Sequence, residues 1–139
     1  MTARSYKPTT AFVAASWAAL LIGAIVFLAG LANAPMQLNE QGYYLTLLLF
    51  GLFAAVSLQK SVRDRMEGIP VTRMYFAICW VALLSALSLL CVGLWNATLD
   101  DTDKGFYAMS FLLSLFGAVA VQKNIRDLAE PAAAAHSEI

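Results

Sequence analysis

Charged residues are scarce in this sequence, and four long segments contain none. Of its 139 residues, 13% are charged and 60% are hydrophobic. Soluble domains carry about 25% charged residues, and a small domain leaves much of its surface in water. So few polar side chains cannot cover that surface. The sequence therefore predicts an integral membrane protein with a lipid bilayer as its main partner.

The missing side chains also exclude several kinds of chemistry. No Asp, Glu, Lys, Arg or His lies inside the apolar segments, although proton-coupled or ion-coupled transport usually requires one there. His136 is the only histidine and has no neighbours suited to a metal site. No catalytic triad, phosphate-binding glycine loop or paired intramembrane carboxylate is present. We expect no enzyme activity, cofactor or metal, and the zero net charge gives no indication of a nucleic-acid partner.

Cysteine provides no crosslink. Cys79 and Cys91 are the two cysteines, and both fall in one apolar segment. On one helix they would lie about 18 Å apart, too far for a disulfide bond. We expect them to behave as small apolar side chains.

Each of the four segments is long enough to cross a bilayer, since about 20 apolar helical residues span the hydrocarbon core. Their most apolar parts predict helices at about 11–32, 43–60, 74–95 and 106–123. We expect an all-α, four-helix membrane bundle with a packed interior. The predicted divisions are an N-terminal tail at 1–10, a two-helix unit at 11–64, a linker at 65–73, a second two-helix unit at 74–127 and a mobile tail at 128–139.

The first segment has a second interpretation, as a cleaved signal peptide. Arg4 and Lys7 precede it, and Ala32-Asn33-Ala34 is compatible with a small-residue cleavage site. Its apolar stretch is longer than the core of a typical signal peptide. We therefore count it as the first membrane helix.

Basic residues predict the orientation. The two loops on one side contain a single basic residue, Lys104, together with four acidic residues. Because basic residues accumulate on the cytoplasmic side, both termini and the middle loop are expected in the cytoplasm of a bacterial inner-membrane protein. The eight basic residues on that side are Arg4, Lys7, Lys60, Arg63, Arg65, Arg73, Lys123 and Arg126.

An internal repeat relates the two halves. Shifting the sequence by 63 residues aligns positions 12–64 with 75–127 without a gap, and 20 of the 53 positions are identical. Chance similarity between apolar helices yields Leu and Ala matches, but here Trp, Asn, Gly, Gln, Lys, Arg and Asp also match. The repeat predicts two tandem helical hairpins that enter the membrane from the same side, related by an axis along the membrane normal.

Two groups of residues are candidate functional positions. At the outer loops, Asn33 and Asn96 either line a polar vestibule or simply end their helices, since Asn suits a helix C-cap. Gly42 and Gly105 are expected in tight turns into the next helix. The second group lies at the cytoplasmic mouth of the bundle, where it is expected to bind anionic lipid headgroups or a metabolite, or to act as a topology anchor with the aspartates pairing locally. Its members are Gln59, Lys60, Arg63, Gln122, Lys123 and Arg126.

Several strings resemble the bacterial YiaA/YiaB inner-membrane family, which is built from a two-helix YiaAB domain. They include Met36-Gln-Leu-Asn-Glu-Gln-Gly-Tyr-Tyr44, Gln59-Lys-Ser-Val-Arg-Asp64 and Val92-Gly-Leu-Trp-Asn-Ala-Thr98. The resemblance covers nearly everything between the two tails. It implies a small inner-membrane protein with two such domains, and it carries no catalytic residues over to this chain.

These observations leave two functional hypotheses. The first is a non-enzymatic structural or accessory protein that acts through helix contacts or its basic cytoplasmic face. The second is a small oligomeric transporter or channel for a neutral or anionic solute. Stripes of small residues such as Ala15, Ala19 and Gly23 suit contacts within and between chains alike, so a homo-oligomer is compatible with both hypotheses.

Overall fold

Four α-helices make up nearly all of the computed structural model, which describes residues 7–137, with side chains as far as Ala129. Each helix contains a window long and apolar enough to cross a membrane. The all-α, four-helix prediction is confirmed for this part of the chain. The tail residues 1–6 and 138–139 lie outside it. The helices are α1 (Thr10–Asn33), α2 (Leu38–Met66), α3 (Arg73–Asn96) and α4 (Asp101–Ser137).

The odd-numbered helices match their predicted limits closely, and a capping threonine defines the start of each. Thr9 precedes α1, and its hydroxyl accepts a hydrogen bond from the Phe12 amide at 3.1 Å. Thr72 caps α3 in the same way, through the Tyr75 amide at 3.2 Å. Such caps satisfy amides that have no partner inside the helix. As predicted, both helices end at asparagine.

The even-numbered helices are longer than predicted. They begin at Leu38 and Asp101, so Gly42 and Gly105 lie inside helices and the predicted turns at these glycines are wrong. Hydropathy detects the lipid-immersed part of a helix and misses polar turns beyond it. Those turns are favourable here because first-turn carboxylates, such as that of Glu40, complement the helix dipole.

At their other ends the even helices differ. Gly68 has a φ of +76° and ends α2, where the Ile69 amide donates to the Asp64 carbonyl at 2.8 Å in the arrangement typical of a glycine C-cap. The residue 63 positions after Gly68 is Pro131, and α4 continues past it to Ser137. Side chains from residue 130 onward, including that of His136, are outside the described part, and the predicted mobility of segment 128–139 stays a prediction.

The even-numbered helices form the centre of the bundle. Helices α2 and α4 pack against each other, α1 packs mainly on α4, and α3 packs mainly on α2. Helices that are consecutive in the chain are therefore not the principal packing partners, and α1 touches α2 only lightly. Each odd helix packs mainly on the even helix that is not its neighbour in the N-terminal or C-terminal half, so the two halves of the chain interlock.

The interior is filled by apolar side chains. Phe27, Leu48 and Phe111 are almost completely buried, and Leu47, Leu90 and Leu115 pack with them in one cluster. Many large side chains on the outer faces are exposed, as lipid contact requires. The centre of the α2–α4 interface is thus a packed apolar core, in agreement with the packed bundle that the sequence predicts.

Glycine makes the α1–α4 contact tighter than the α2–α3 contact. A Cβ built on Gly23 would lie 2.6 Å from the Ser114 backbone nitrogen, and one built on Gly117 would overlap the Leu20 backbone. Helices α1 and α4 therefore approach backbone to backbone, as small residues permit in membranes. The equivalent positions 63 residues away are Ala86 and Ala54, both fully buried in the looser α2–α3 contact.

We expect Gly117→Ala to destabilise the bundle. The new methyl group would force α1 and α4 apart, and overpacking of this kind costs about 1–3 kcal/mol. The measurement is unfolding in detergent micelles followed by circular dichroism. Gly105→Ala on the same helix is the matched control: a Cβ there has nothing within 4 Å, so it should cause no loss. Equal stability of the two variants would contradict the close approach.

Candidate functional site

Two ion pairs cross between the central helices at the end of the bundle where α2 and α4 leave the apolar region. The Arg63 guanidinium on α2 pairs with Oδ1 of Asp127 on α4. In the opposite sense, Nη2 of Arg126 lies 2.5 Å from Oδ1 of Asp64. The second carboxylate oxygen of each aspartate accepts a bond from a lysine on its own helix. We call Lys60, Arg63, Asp64, Glu67, Lys123, Arg126 and Asp127 the charge cluster.

The lysines are bound locally, four residues before their aspartates. Lys60 Nζ lies 2.7 Å from Asp64 Oδ2, and Lys123 Nζ lies 2.7 Å from Asp127 Oδ2. Each aspartate therefore has both oxygens occupied, one by its own helix and one by the neighbouring helix. The local pairs agree with the anchor interpretation of the sequence, whereas the crossed pairs were missed.

Glu67 bridges the two arginines. Its Oε1 lies 2.7 Å from Nε of Arg63, and its Oε2 lies 2.8 Å from Nη2 of Arg126. The cluster thus contains four cations and three carboxylates, an excess of one positive charge. Both guanidinium groups among the predicted anion contacts are therefore committed to carboxylates.

Burial divides the charge cluster into a buried centre, formed by the two aspartates, and an exposed rim, formed by the two lysines, which we call the lysine rim. Asp64 and Asp127 are each 5% exposed, so their charges depend on these partners. The side chains of Lys60 and Lys123 are 58% and 49% exposed. Gln59 and Gln122 are half-buried beside them. Of the predicted anion contacts, the two lysines are those that present substantial surface to a headgroup.

A second layer of polar contacts lies one turn deeper. Asn124 on α4 donates through Nδ2 to the Ser16 hydroxyl on α1 at 3.0 Å. Shifted by 63 residues, the Ser61 hydroxyl on α2 lies 3.6 Å from the Cys79 sulfur on α3. Sequence reasoning missed both contacts, because each of them depends on which helices pack together.

The asparagines that end α1 and α3 form hydrogen bonds with their own helices. Asn33 Nδ2 donates to the Ala29 carbonyl and Asn96 Nδ2 to the Val92 carbonyl, both at 2.8 Å. This pattern agrees with the helix-end interpretation. Asn96 also borders a pocket at that end of the bundle, whereas Asn33 is not among the residues that line it. The two amides therefore do not share that pocket.

Aromatic rings fill the end of the bundle where α1 and α3 end and α2 and α4 begin. Tyr44 and Tyr107 stack between α2 and α4, with ring centroids 6.3 Å apart. Tyr43 and Phe106 lie edge-on to them at 5.2 and 5.8 Å. We call this end the aromatic end and the other the charged end. Polar chemistry is thus concentrated at the two ends, and the core between them is apolar.

Comparison with known proteins agrees with the resemblance. The family model described as the yiaA/B two helix domain matches twice, at residues 12–64 and 75–127. The chain is 57% identical to the inner membrane protein YiaA of Escherichia coli K12 over 123 residues, which are 88% of this chain and 83% of that protein.

Two further relatives are more distant. The inner membrane protein YiaB of the same organism is 28% identical over 108 residues, which cover 75% of this chain and 88% of YiaB. The uncharacterized membrane protein YubF of Bacillus subtilis 168 is 35% identical over 62 residues, 44% of this chain and 71% of that protein. No solved structure matches the chain.

We expect Asp127→Asn to destabilise the protein much more than Lys123→Gln. The first change leaves a guanidinium facing a neutral amide in a nearly closed site, and removing one partner of a buried pair costs about 3 kcal/mol or more. The second removes a half-exposed ammonium, worth at most about 1 kcal/mol. Denaturant titration in micelles measures both.

A charge exchange tests the crossed geometry directly. Arg63→Asp combined with Asp127→Arg should recover part of the stability that either single change loses, because the pair is restored with its partners exchanged. Additive losses in the double variant would show that the two side chains do not interact.

Proposed function

Because this chain belongs to the yiaA/B two-helix domain family, we propose that it is a non-enzymatic structural or accessory protein of the inner membrane. That it is a multi-pass inner-membrane protein follows from its four spanning helices and from relatives that carry that description. In the proposed role, the helix surfaces and the exposed lysine rim at the charged end make the contacts with lipid and with other membrane components.

The proposal includes a two-unit architecture with a defined orientation. Residues 12–64 and 75–127 are two copies of one two-helix unit, related by a pseudo-twofold axis along the membrane normal, with the charged end and both termini in the cytoplasm. Two facts support it. The family model matches the same two ranges, and contacts recur after a shift of 63 residues, as in the crossed arginine–aspartate pairs. The excess of basic residues on one side supports the orientation.

The crossed ion pairs carry the functional proposal. They join the two units through buried aspartates at one end, and the stacked Tyr44 and Tyr107 join them at the other. With Phe111 and Leu48 filling the space between, both ends and the centre of the interface are held together. Such a bundle is suited to act as a rigid membrane element, because its two central helices are joined at both ends and packed between them.

The lysine rim is the proposed contact with anionic lipid. Lys60 and Lys123 stand on neighbouring helices, each already paired with one carboxylate but still about half exposed. Lipid phosphates at the cytoplasmic surface can approach the exposed side of each ammonium group, and each such contact contributes about 1 kcal/mol.

A small transporter or channel for a neutral or anionic solute is the second candidate. One observation favours it: the Ser114 hydroxyl and the Asn124 side-chain carbonyl are buried and have no hydrogen-bond partner among the described residues. Unpaired polar atoms inside a membrane bundle are costly and occur where a polar solute or water passes. They are far fewer than a continuous path requires, which is why the structural role comes first.

The orientation predicts which loops react with an impermeant thiol reagent in intact cells. In a background with Cys79→Ser and Cys91→Ser, Thr98→Cys should be labelled by a membrane-impermeant maleimide. Ile69→Cys, in the loop at the opposite end, should be labelled only after the cells are opened. The reverse pattern would overturn the proposed orientation and leave the fold unaffected.

The functional alternatives separate in a liposome assay. We expect reconstituted protein to cause no flux of neutral or anionic solutes above that of empty vesicles, and to bind anionic vesicles in preference to zwitterionic ones. Lys60→Gln with Lys123→Gln should reduce that preference, whereas Lys104→Gln at the opposite end should leave it unchanged. Protein-dependent flux would refute the structural role and support the transporter.

A further inference from the structure

A pocket of about 390 Å³ lies at the aromatic end, between the start of α2 and the end of α3. It is distinct from the charge cluster, which lies at the other end of the same helices. About half of its lining is polar. The lining residues are Asn39, Glu40, Tyr43, Tyr44, Gly93, Asn96, Ala97 and Thr98.

The pocket offers several hydrogen-bond acceptors to a ligand. Tyr43 donates its hydroxyl hydrogen to the Leu89 carbonyl at 2.6 Å, and Asn96 donates to the Val92 carbonyl at 2.8 Å. Each retains an oxygen that can only accept. Glu40 adds a carboxylate for which the described residues provide no ion pair, and the last carbonyls of α3 carry the negative end of its dipole.

Two aromatic rings form a corner of the pocket. Tyr43 and Tyr44 meet at 87°, with centroids 5.2 Å apart. They lie against Gly93, where a Cβ would come within 2.7 Å of the Tyr43 ring, so the absent side chain lets the rings seat on α3. Tyr43 is the exposed ring of the two, and an aromatic ring beside a carboxylate can recognise an alkylammonium group.

We propose that this pocket binds an ammonium group carried by a small amine or by an aminophospholipid headgroup. The carboxylate supplies the opposite charge, the acceptor oxygens take the N–H hydrogens, and the Tyr43 ring contacts the adjacent methylene groups. The site lies at the level of the membrane surface, within reach of both sources of such a group.

The corresponding region of the other half has a phenylalanine in place of Tyr43, which gives a built-in control. The positions 63 residues away from Glu40 and Tyr43 are Asp103 and Phe106. Asp103 also lies in the first turn of its helix, so it shares the dipole effect of Glu40. Phe106 lacks the hydroxyl that joins Tyr43 to α3.

The test is binding of ethanolamine to the full-length protein in maltoside micelles, measured by isothermal titration calorimetry with glycerol as the neutral comparison. We expect saturable binding of ethanolamine and none of glycerol. Glu40→Gln should weaken it about tenfold, Tyr43→Phe by a smaller factor, and Asp103→Asn should leave it unchanged. Thermal unfolding of each variant in the same micelles verifies that it is folded.

Nanodiscs distinguish the two sources. If a lipid headgroup occupies the pocket, phosphatidylethanolamine discs should abolish ethanolamine binding that persists in phosphatidylglycerol discs. If a soluble amine is the ligand, binding should be equal in both. Two results would overturn the proposal: no amine binding in micelles, or equal losses in folded Glu40→Gln and Asp103→Asn variants.

Discussion

The crossed pairing of Arg63 with Asp127 and Arg126 with Asp64 is the interaction on which the arrangement of the bundle depends. In lipid, apolar side chains gain little by leaving one apolar environment for another, so helix contacts rely on close packing and polar bonds. The crossed pairs fix the register of α2 against α4. With that register set, α1 packs on α4 through the Ser16–Asn124 contact. Helix α3 packs on α2 through the Cys79–Ser61 contact.

The two halves differ most where small residues set the distance between helices. Gly23 and Gly117 bring α1 and α4 into backbone contact, whereas Ala86 and Ala54 keep α3 farther from α2. The added methyl group of alanine at each position accounts for this difference. Helix contacts in a membrane depend on close packing, so a methyl group at the contact keeps the two helices farther apart. The proposed ammonium-binding pocket lies at the looser α2–α3 contact. There the Tyr43 hydroxyl donates to the α3 backbone.

Much of this architecture is predictable from the sequence. The charge-free segments predicted four helices, and the asparagine positions predicted where α1 and α3 end. The extra polar turns of α2 and α4 were missed because hydropathy records immersion in lipid, and helices continue beyond it. The crossed ion pairs were missed for a different reason. Spacing along one helix reveals Lys60 with Asp64, but the partner of an arginine across an interface depends on which helices pack together.

Positions that match between the two proposed units and positions that differ have separate roles. The matching arginines, aspartates and glycines make corresponding contacts in both halves, so their identity is explained by the fold they hold together. Function specific to one face must then come from the positions that differ. Tyr43 opposite Phe106 and Thr98 opposite Pro35 are such positions, and both lie at the pocket beside α3. A duplicated unit can retain its stabilising contacts in both copies while one copy acquires a binding site, because that site depends on the positions that differ.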